Sequence, residues 1–369
     1  MVHKKIVIIA GEDSGDLHGS QLIKALKQSN ETYEFYGIGG EKMIKQGLSP
    51  IEHIKNLNVI GLVEVLKHYP RIKMIFNKTL AFIKKTQPEK VILIDYPGFN
   101  LRLAKKISNM GIEISYFILP QVWAWRSSRA KTLKQNTDKR ISIIPLEKDW
   151  FKKRDIEISY VGNPLIALQN IRTDKNLLYE KYNISSNDKV VALMPGSRKS
   201  EIQKHWPIFL QTLDLLQKQS SHNIVPVLLE APNVAIDNIP DNVITTKENH
   251  YEILSVSDAA IVSSGTATLE TAILGCPMVV CYKLSSVTWF LAQKMSSVKY
   301  LSLVNLISDK NVVKELLQNE MNASNIAEQV IYLLSREGRE TTKAEYHELI
   351  NSLTSKTNPY KEAAKYILQ

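Results

Sequence analysis

Cysteine is nearly absent from this chain: 369 residues carry two, Cys276 and Cys281. A protein of this length needs no disulfide staples, so the pair reads as small buried residues and the compartment as a reducing cytoplasm. Long apolar runs are missing as well. Charges interrupt every stretch before it reaches the roughly 18 residues that a spanning helix needs, and the first run, at residues 6–10, is too short for a signal-peptide core. Membrane contact, if any, is expected to be peripheral. No fixed-period repeat is visible, which excludes solenoids. Acids are the scarcer charge, 37 against 47 lysines and arginines, and the net +10 favours anionic partners: phosphates, nucleic acid or an acidic bilayer surface. Nucleic acid is the weakest of the three, since the lysines are scattered and no RRM, KH, zinc-finger or helix-turn-helix signature occurs.

What is present is ordinary globular usage, 44% hydrophobic and 23% charged, over a length suited to about two domains. Short β-branched runs recur between segments of helical period, the pattern of βαβ units around a parallel sheet. Strands are expected at residues 5–10, 34–38, 90–95, 113–118 and 140–144, and the pattern restarts at 189–194, 224–229, 243–245, 259–262 and 278–282. The fold class is therefore α/β, with two Rossmann-like doubly wound domains facing across a cleft. The expected divisions are 1–165 and 166–339, with one such sheet in each. Polar helices at 340–369 pack back on the first domain or exchange with a partner chain. The stretch 161–176, with Gly162, Asn163 and Pro164, is the expected connector.

Ligands of open α/β sheets bind beyond the carboxyl ends of the strands, where helix N-termini offer free N–H groups. The first such end reads Gly11-Glu12-Asp13-Ser14-Gly15-Asp16-Leu17-His18. It is neither the G-x-G-x-x-G fingerprint nor a P-loop, and its acids would repel a pyrophosphate. Ser14, Gly15, Asp16 and His18 are expected to meet sugar hydroxyls or assist proton transfer; the competing reading is capping by Asp13 or Ser14. A later strand leaves Asp95 at the rim after four apolar residues. Burial there raises a carboxyl toward the range of a general base, whereas capping the next helix lowers it. The loop Pro120-Gln121-Val122-Trp123-Ala124-Trp125-Arg126 offers indole faces and Arg126 to a sugar, or packs internally.

In the second half, Pro195-Gly196-Ser197-Arg198-Lys199-Ser200-Glu201 is a strand, a Gly-Ser turn and a basic helix start. Amides at Gly196 and Ser197 with the Arg198 guanidinium suit a diphosphate; the alternative is an Arg198–Glu201 pair. A second cradle stands at Gly265, Thr266, Ala267 and Thr268, followed by Glu270, an acid placed to accept from ribose hydroxyls. No acid pair of metal-binding spacing ends a strand, so neither a metal nor a cofactor is expected. Residues 59–85 mix grease with positive charge around Pro70, and Leu62, Val65, Leu66, Tyr69, Arg71, Ile72 and Lys73 compose a face suited to a bilayer interface, or else to core packing.

Together, AGEDSGDLHG, GIGG, IGLVEVL, DYPGFN, PQVWAWR, VGNPL, MPGSRKSEI, SSGTATLE, CPMVVCY and SLVNLI, in that order along most of the chain, resemble the lipid-A-disaccharide synthases, inverting glycosyltransferases of the two-Rossmann GT-B type. VGNP and SLVNLI depart from the more usual VGHP and SLPNLI. The resemblance implies transfer of a 2,3-diacylglucosamine from UDP to the 6-hydroxyl of 2,3-diacylglucosamine 1-phosphate, without metal, at the inner face of the cytoplasmic membrane of a Gram-negative bacterium. It implies Asp95 as base, Arg198 and residues 265–268 on the diphosphate, Glu270 on ribose, and Asn305 in a motif near the nucleotide. It implies that domain 1–165 is acceptor- and membrane-facing and that domain 166–339 binds the UDP-sugar, and it leaves a homodimer open. The alternative enzyme is another GT-B protein acting on UDP-GlcNAc, an epimerase or a lipid-linked GlcNAc transferase.

Overall fold

The structure is a computed structural model that describes all residues except 1–3, 30, 58–61, 125–126, 232–233, 286–288, 290–297 and 356; the side chains of 62–68 are also outside the description. The chain divides into two compact units, Met1–Pro164 with Ser355–Gln369, and Leu165–Thr354.

In the first unit, β1 (Lys4–Ile9), β2 (Tyr33–Gly39), β3 (Leu48–His53), β4 (Lys90–Ile94), β5 (Glu113–Phe117), β6 (Lys139–Ser142) and β7 (Ser159–Tyr160) form one sheet. Its order is β3-β2-β1-β4-β5-β6-β7, with every pairing parallel. The central strands are continuous apolar runs because both faces are covered. Val7, Ile9, Val91 and Leu93 enter one core, while Ile6, Ile8, Ile92 and Ile94 enter the other. The second unit repeats the plan with β8 (Lys189–Met194), β9 (Ile224–Leu229), β10 (Ile244–Thr246), β11 (Ala259–Ser263), β12 (Met278–Tyr282) and β13 (Lys314–Leu317), ordered β10-β9-β8-β11-β12-β13 and all parallel. Cys276 and Cys281 are free, buried thiols there.

Three strands escaped the sequence reading, β3, β7 and β13, and all lie at sheet margins. A marginal strand needs no continuous apolar run, and β3 even tolerates Pro50, which central strands exclude. The helix Leu62–Thr86 runs through Pro70 rather than stopping at it. The polar segment from 340 is not one body. Helix Arg336–Leu353 buries Tyr346, Leu349 and Leu353 in the second unit, whereas helix Pro359–Leu368 buries Ala363, Ala364 and Ile367 against the first.

Candidate functional site

In each sheet the direction of strand addition reverses once, between β1 and β4 and between β8 and β11, and a crevice opens beyond the carboxyl ends at such a point. In the first unit the register sets Ile9 beside Leu93, so Gly11–Glu12 and Asp95 leave the sheet side by side. Asp95 and Tyr96 both take left-handed backbone angles, φ 42° and 47°. Two such residues in succession, neither of them glycine, cost about 1–3 kcal/mol each. They turn the chain sharply out of β4 and into helix Pro97–Ile107, with Tyr96 at its N-cap. The Tyr96 ring then lies where a side chain on Gly11 would be: a Cβ there would sit 2.2 Å from Tyr96 Cγ.

The Asp95 carboxyl is pushed up to about 6, first by burial and then by the charge of Glu12, against the pull of the Tyr96 amide. That places it where it is ionised near neutrality and still basic enough to take a proton. Its main-chain carbonyl accepts from Tyr116 Oη at 2.6 Å and from Asn100 Nδ2 at 2.8 Å. Asn100 also reaches the carbonyls of Ile94, at 3.1 Å, and Ile9, at 3.4 Å, tying both strand ends together.

Several residues expected at a sugar are spent elsewhere. Asp16 is buried, and its carboxylate accepts from the amides of Gly40, Lys42 and Met43 at 2.7 to 3.0 Å, capping helix Glu41–Lys45. Gly15 is packed against Ala10. Trp123 is buried, with its indole N–H donated to Glu147 at 2.8 Å, so it packs internally. Ser14 is exposed at the start of helix Asp13–Leu26, whose N-cap is Glu12 and has no side-chain cap. His18 Nδ1 pairs with Tyr360 Oη at 3.0 Å, and burial, with help from the Lys42 charge, holds the ring down at about 4. It is neutral at physiological pH. Arg126 and Trp125 lie outside the described residues.

Of the membrane-interface set, Leu62, Val65 and Leu66 have side chains outside the description. Ile72 packs against the core, followed by Ile75, Phe76 and Ile83, so this half of the helix is a core element. Tyr69, Arg71 and Lys73 are exposed, and Met74, which the sequence reading passed over, is 60% exposed beside them.

In the second unit, Val262 pairs with Met194, so the turns after β8 and β11 emerge together. The first turn already holds an anion of its own. Glu201, third residue of helix Lys199–Gln219, reaches back to accept from the Ser197 amide at 3.1 Å, from Arg198 Nη1 at 3.0 Å and from Tyr282 Oη at 3.2 Å. This is the geometry of a capping box shifted by one residue. Gly196, at φ 131°, admits it: a Cβ there would lie 2.7 Å from the Glu201 carboxylate. The Arg198 side chain nonetheless stays 58% exposed, with guanidinium N–H groups to spare. Behind the turn, His205 is wholly buried, donating through Nδ1 to the Pro195 carbonyl at 2.8 Å and accepting at Nε2 from the Lys283 amide at 3.1 Å. Those partners fix the neutral tautomer, and burial lowers its pKa accordingly.

The second turn is open. A Cβ on Gly265 would meet nothing among the described residues within 4 Å, and helix Thr266–Ile273 begins there without a side-chain cap. Among the described residues nothing takes up its first amides, those of Thr266 and Ala267, which suit an anion in the manner of helix N-termini. Thr266 is exposed and Ala267 half-buried, but Thr268 is buried and gives its hydroxyl to the Gly265 carbonyl at 2.8 Å, so it shapes the turn rather than facing a ligand. Among the described residues the buried Ser263 Oγ has no hydrogen-bond partner. Glu270 accepts from Tyr251 Oη at 3.2 Å, and burial raises its pKa.

Asn305 is bound up in the fold of its own unit. It is fully buried, its Nδ2 donates to the Val313 carbonyl and to Glu315 Oε1, each at 2.8 Å, and its Oδ1 accepts from the Val313 amide at 2.9 Å. With Glu315, which also accepts from the Leu301 and Ser302 amides, it fastens the start of helix Leu303–Ser308. Both of its side-chain N–H donors are spent within the fold.

Two Rossmann-like units in succession, each built on a parallel sheet, define the GT-B class. Among solved structures, the chain matches the glycosyltransferase of kitacinnamycin with a TM-score of 0.67, at 12% identity over 100% of this chain and 99% of that one. It matches a putative UDP-N-acetylglucosamine 2-epimerase from Listeria monocytogenes with a TM-score of 0.64, at 13% identity over 100% and 95%. At such identities the likeness is one of fold alone. The sequence goes further: the chain belongs to the lipid-A-disaccharide synthase family, whose model, described as lipid-A-disaccharide synthetase, matches residues 6–368. The lipid-A-disaccharide synthase of Sulfurihydrogenibium sp. is 34% identical over 99% of this chain and 97% of that relative. The protein is a glycosyltransferase of lipid A biosynthesis.

Proposed function

We propose that this enzyme condenses UDP-2,3-diacylglucosamine with 2,3-diacylglucosamine 1-phosphate, forming the tetraacyl disaccharide 1-phosphate and UDP. Asp95 takes the proton of the acceptor's 6-hydroxyl as that oxygen attacks the donor's anomeric carbon, in one in-line displacement that inverts it. Charge grows on the β-phosphate of departing UDP. Arg198 and the uncapped amides at Thr266 and Ala267 neutralise it without a cation, and Glu270, steadied by Tyr251, accepts from the ribose. The observation that carries this reading is Asp95 itself, a carboxyl at the switch point of the first sheet with a pKa raised to about 6.

Among the described residues no helix is long and apolar enough to cross a membrane. Exposed Tyr69 and Met74 beside Arg71 and Lys73 suit peripheral contact with anionic lipid on the cytoplasmic face of the inner membrane, from which both acylated substrates would be drawn.

The test is incubation with both diacylated monosaccharides and mass spectrometry for the disaccharide phosphate. UDP release that needs no acylated acceptor would assign the chain to hydrolysis or epimerisation instead.

A further inference from the structure

Asp95 lies just past the second of the two strand ends joined at the switch point and is the first of two consecutive left-handed residues, neither of them glycine. Strain of this kind persists only where the surroundings over-determine it. Here the surroundings are two side chains that converge on one atom. The Asp95 carbonyl oxygen has two lone pairs and accepts two bonds, from Tyr116 Oη at 2.6 Å and Asn100 Nδ2 at 2.8 Å. Both donors are wholly buried. Tyr116 comes from β5, the neighbouring strand, with its ring in the core; Asn100 comes from the helix that Asp95 and Tyr96 lead into. The peptide that carries the carboxylate is thus gripped from the sheet side and from the helix side.

We infer that Tyr116 and Asn100 are positioning residues for the glycosyl transfer, acting through the Asp95 carbonyl to aim its carboxylate at the acceptor hydroxyl. The inference rests on the reading of Asp95 as the base. Removing a grip leaves the ring or the helix in place but lets the Asp95 peptide rotate, and small misplacements of a reacting group are expensive in rate. Substrate binding through the second unit is untouched.

The test is a double-mutant cycle on the intact enzyme with both acylated substrates. Tyr116→Phe keeps the ring and deletes the donor; about a tenfold fall in kcat is expected, with both KM values and UDP affinity held within about twofold. In the Asp95→Ala background the same substitution should cost nothing further, because groups that act as a unit are not additive. A structural role for Tyr116 predicts equal losses in both backgrounds, and that result, or wild-type turnover by Tyr116→Phe, overturns the inference while leaving Asp95 as base. Near-normal turnover by Asp95→Ala alone overturns the underlying reading instead. Should Tyr116→Phe melt near the assay temperature, Asn100→Ala serves the same cycle with the same expectations.

Discussion

Glu12, exposed at the end of the first strand, stands close enough to Asp95 for its charge to raise that carboxyl's pKa, second only to burial as a cause. The rate should therefore carry the pair's signature. A base that must be ionised gives a kcat/KM that rises with pH and levels off above its pKa, here about 6. Glu12→Gln removes the repulsion and should slide this acid limb to lower pH, while the plateau changes little. A limb that stays in place in the variant would detach Glu12 from the titration.

Asp95→Ala should lower kcat by about a hundredfold or more with UDP affinity nearly unchanged, the usual worth of a general base. Single-turnover rates and calorimetry separate the two quantities. Near-normal turnover would hand the role to Asp13, which is exposed in the adjoining turn, rather than to His18, whose ring is engaged with Tyr360.

Arg198→Ala should weaken UDP by about tenfold or more, since it deletes a charge-assisted contact and leaves the Glu201 carboxylate uncompensated beside the diphosphate. Turnover should survive EDTA in the wild-type enzyme. Calorimetry that finds UDP affinity unaltered in the variant would remove the first turn from the nucleotide site, and loss of activity on chelation would bring in a cation.

Glu147 offers a test of stability rather than rate. It is 1% exposed, accepts from Trp123 and from Ser142, and burial raises its pKa from 4.5 to about 8. The folded state thus holds this proton more tightly than the unfolded one does. The resulting penalty is absent below pH 4.5, grows by about 1.4 kcal/mol per pH unit, and stops growing above pH 8. Glu147→Gln, which keeps the shape and has no proton to lose, should gain stability relative to wild type as the pH rises through that window. Urea midpoints measured at several pH values check it; a difference that does not vary with pH would refute the buried acid.

The parts of the molecule legible in the sequence were those buried on both sides. β4 and β11 are wholly buried and read as unbroken apolar runs, and each was found to within a residue. The marginal β3, β7 and β13 gave no such signal. The rim turns were legible for a related reason: glycine and hydroxyl residues directly after an apolar run have few other uses. What local sequence cannot hold is which polar side chains the fold consumes. Asp16 looked free until Gly40, Lys42 and Met43 turned their amides toward it, and Asn305 until Val313 and Glu315 arrived from further along the chain. Conversely, Tyr116 reads as one more aromatic strand residue, and only the pairing of β4 with β5 brings its hydroxyl to Asp95.

Because Ala363, Ala364 and Ile367 complete the core around Ile6, Ile8 and Leu22, the first unit is assembled from segments that precede and follow the second unit in the sequence. During translation its early strands must wait, unsealed, until helix Pro359–Leu368 has cleared the ribosome, while the intervening unit, Leu165–Thr354, has every residue it needs sooner. A stop codon in place of Pro359 should accordingly unravel the unit that carries Asp95 and spare the unit that carries Arg198.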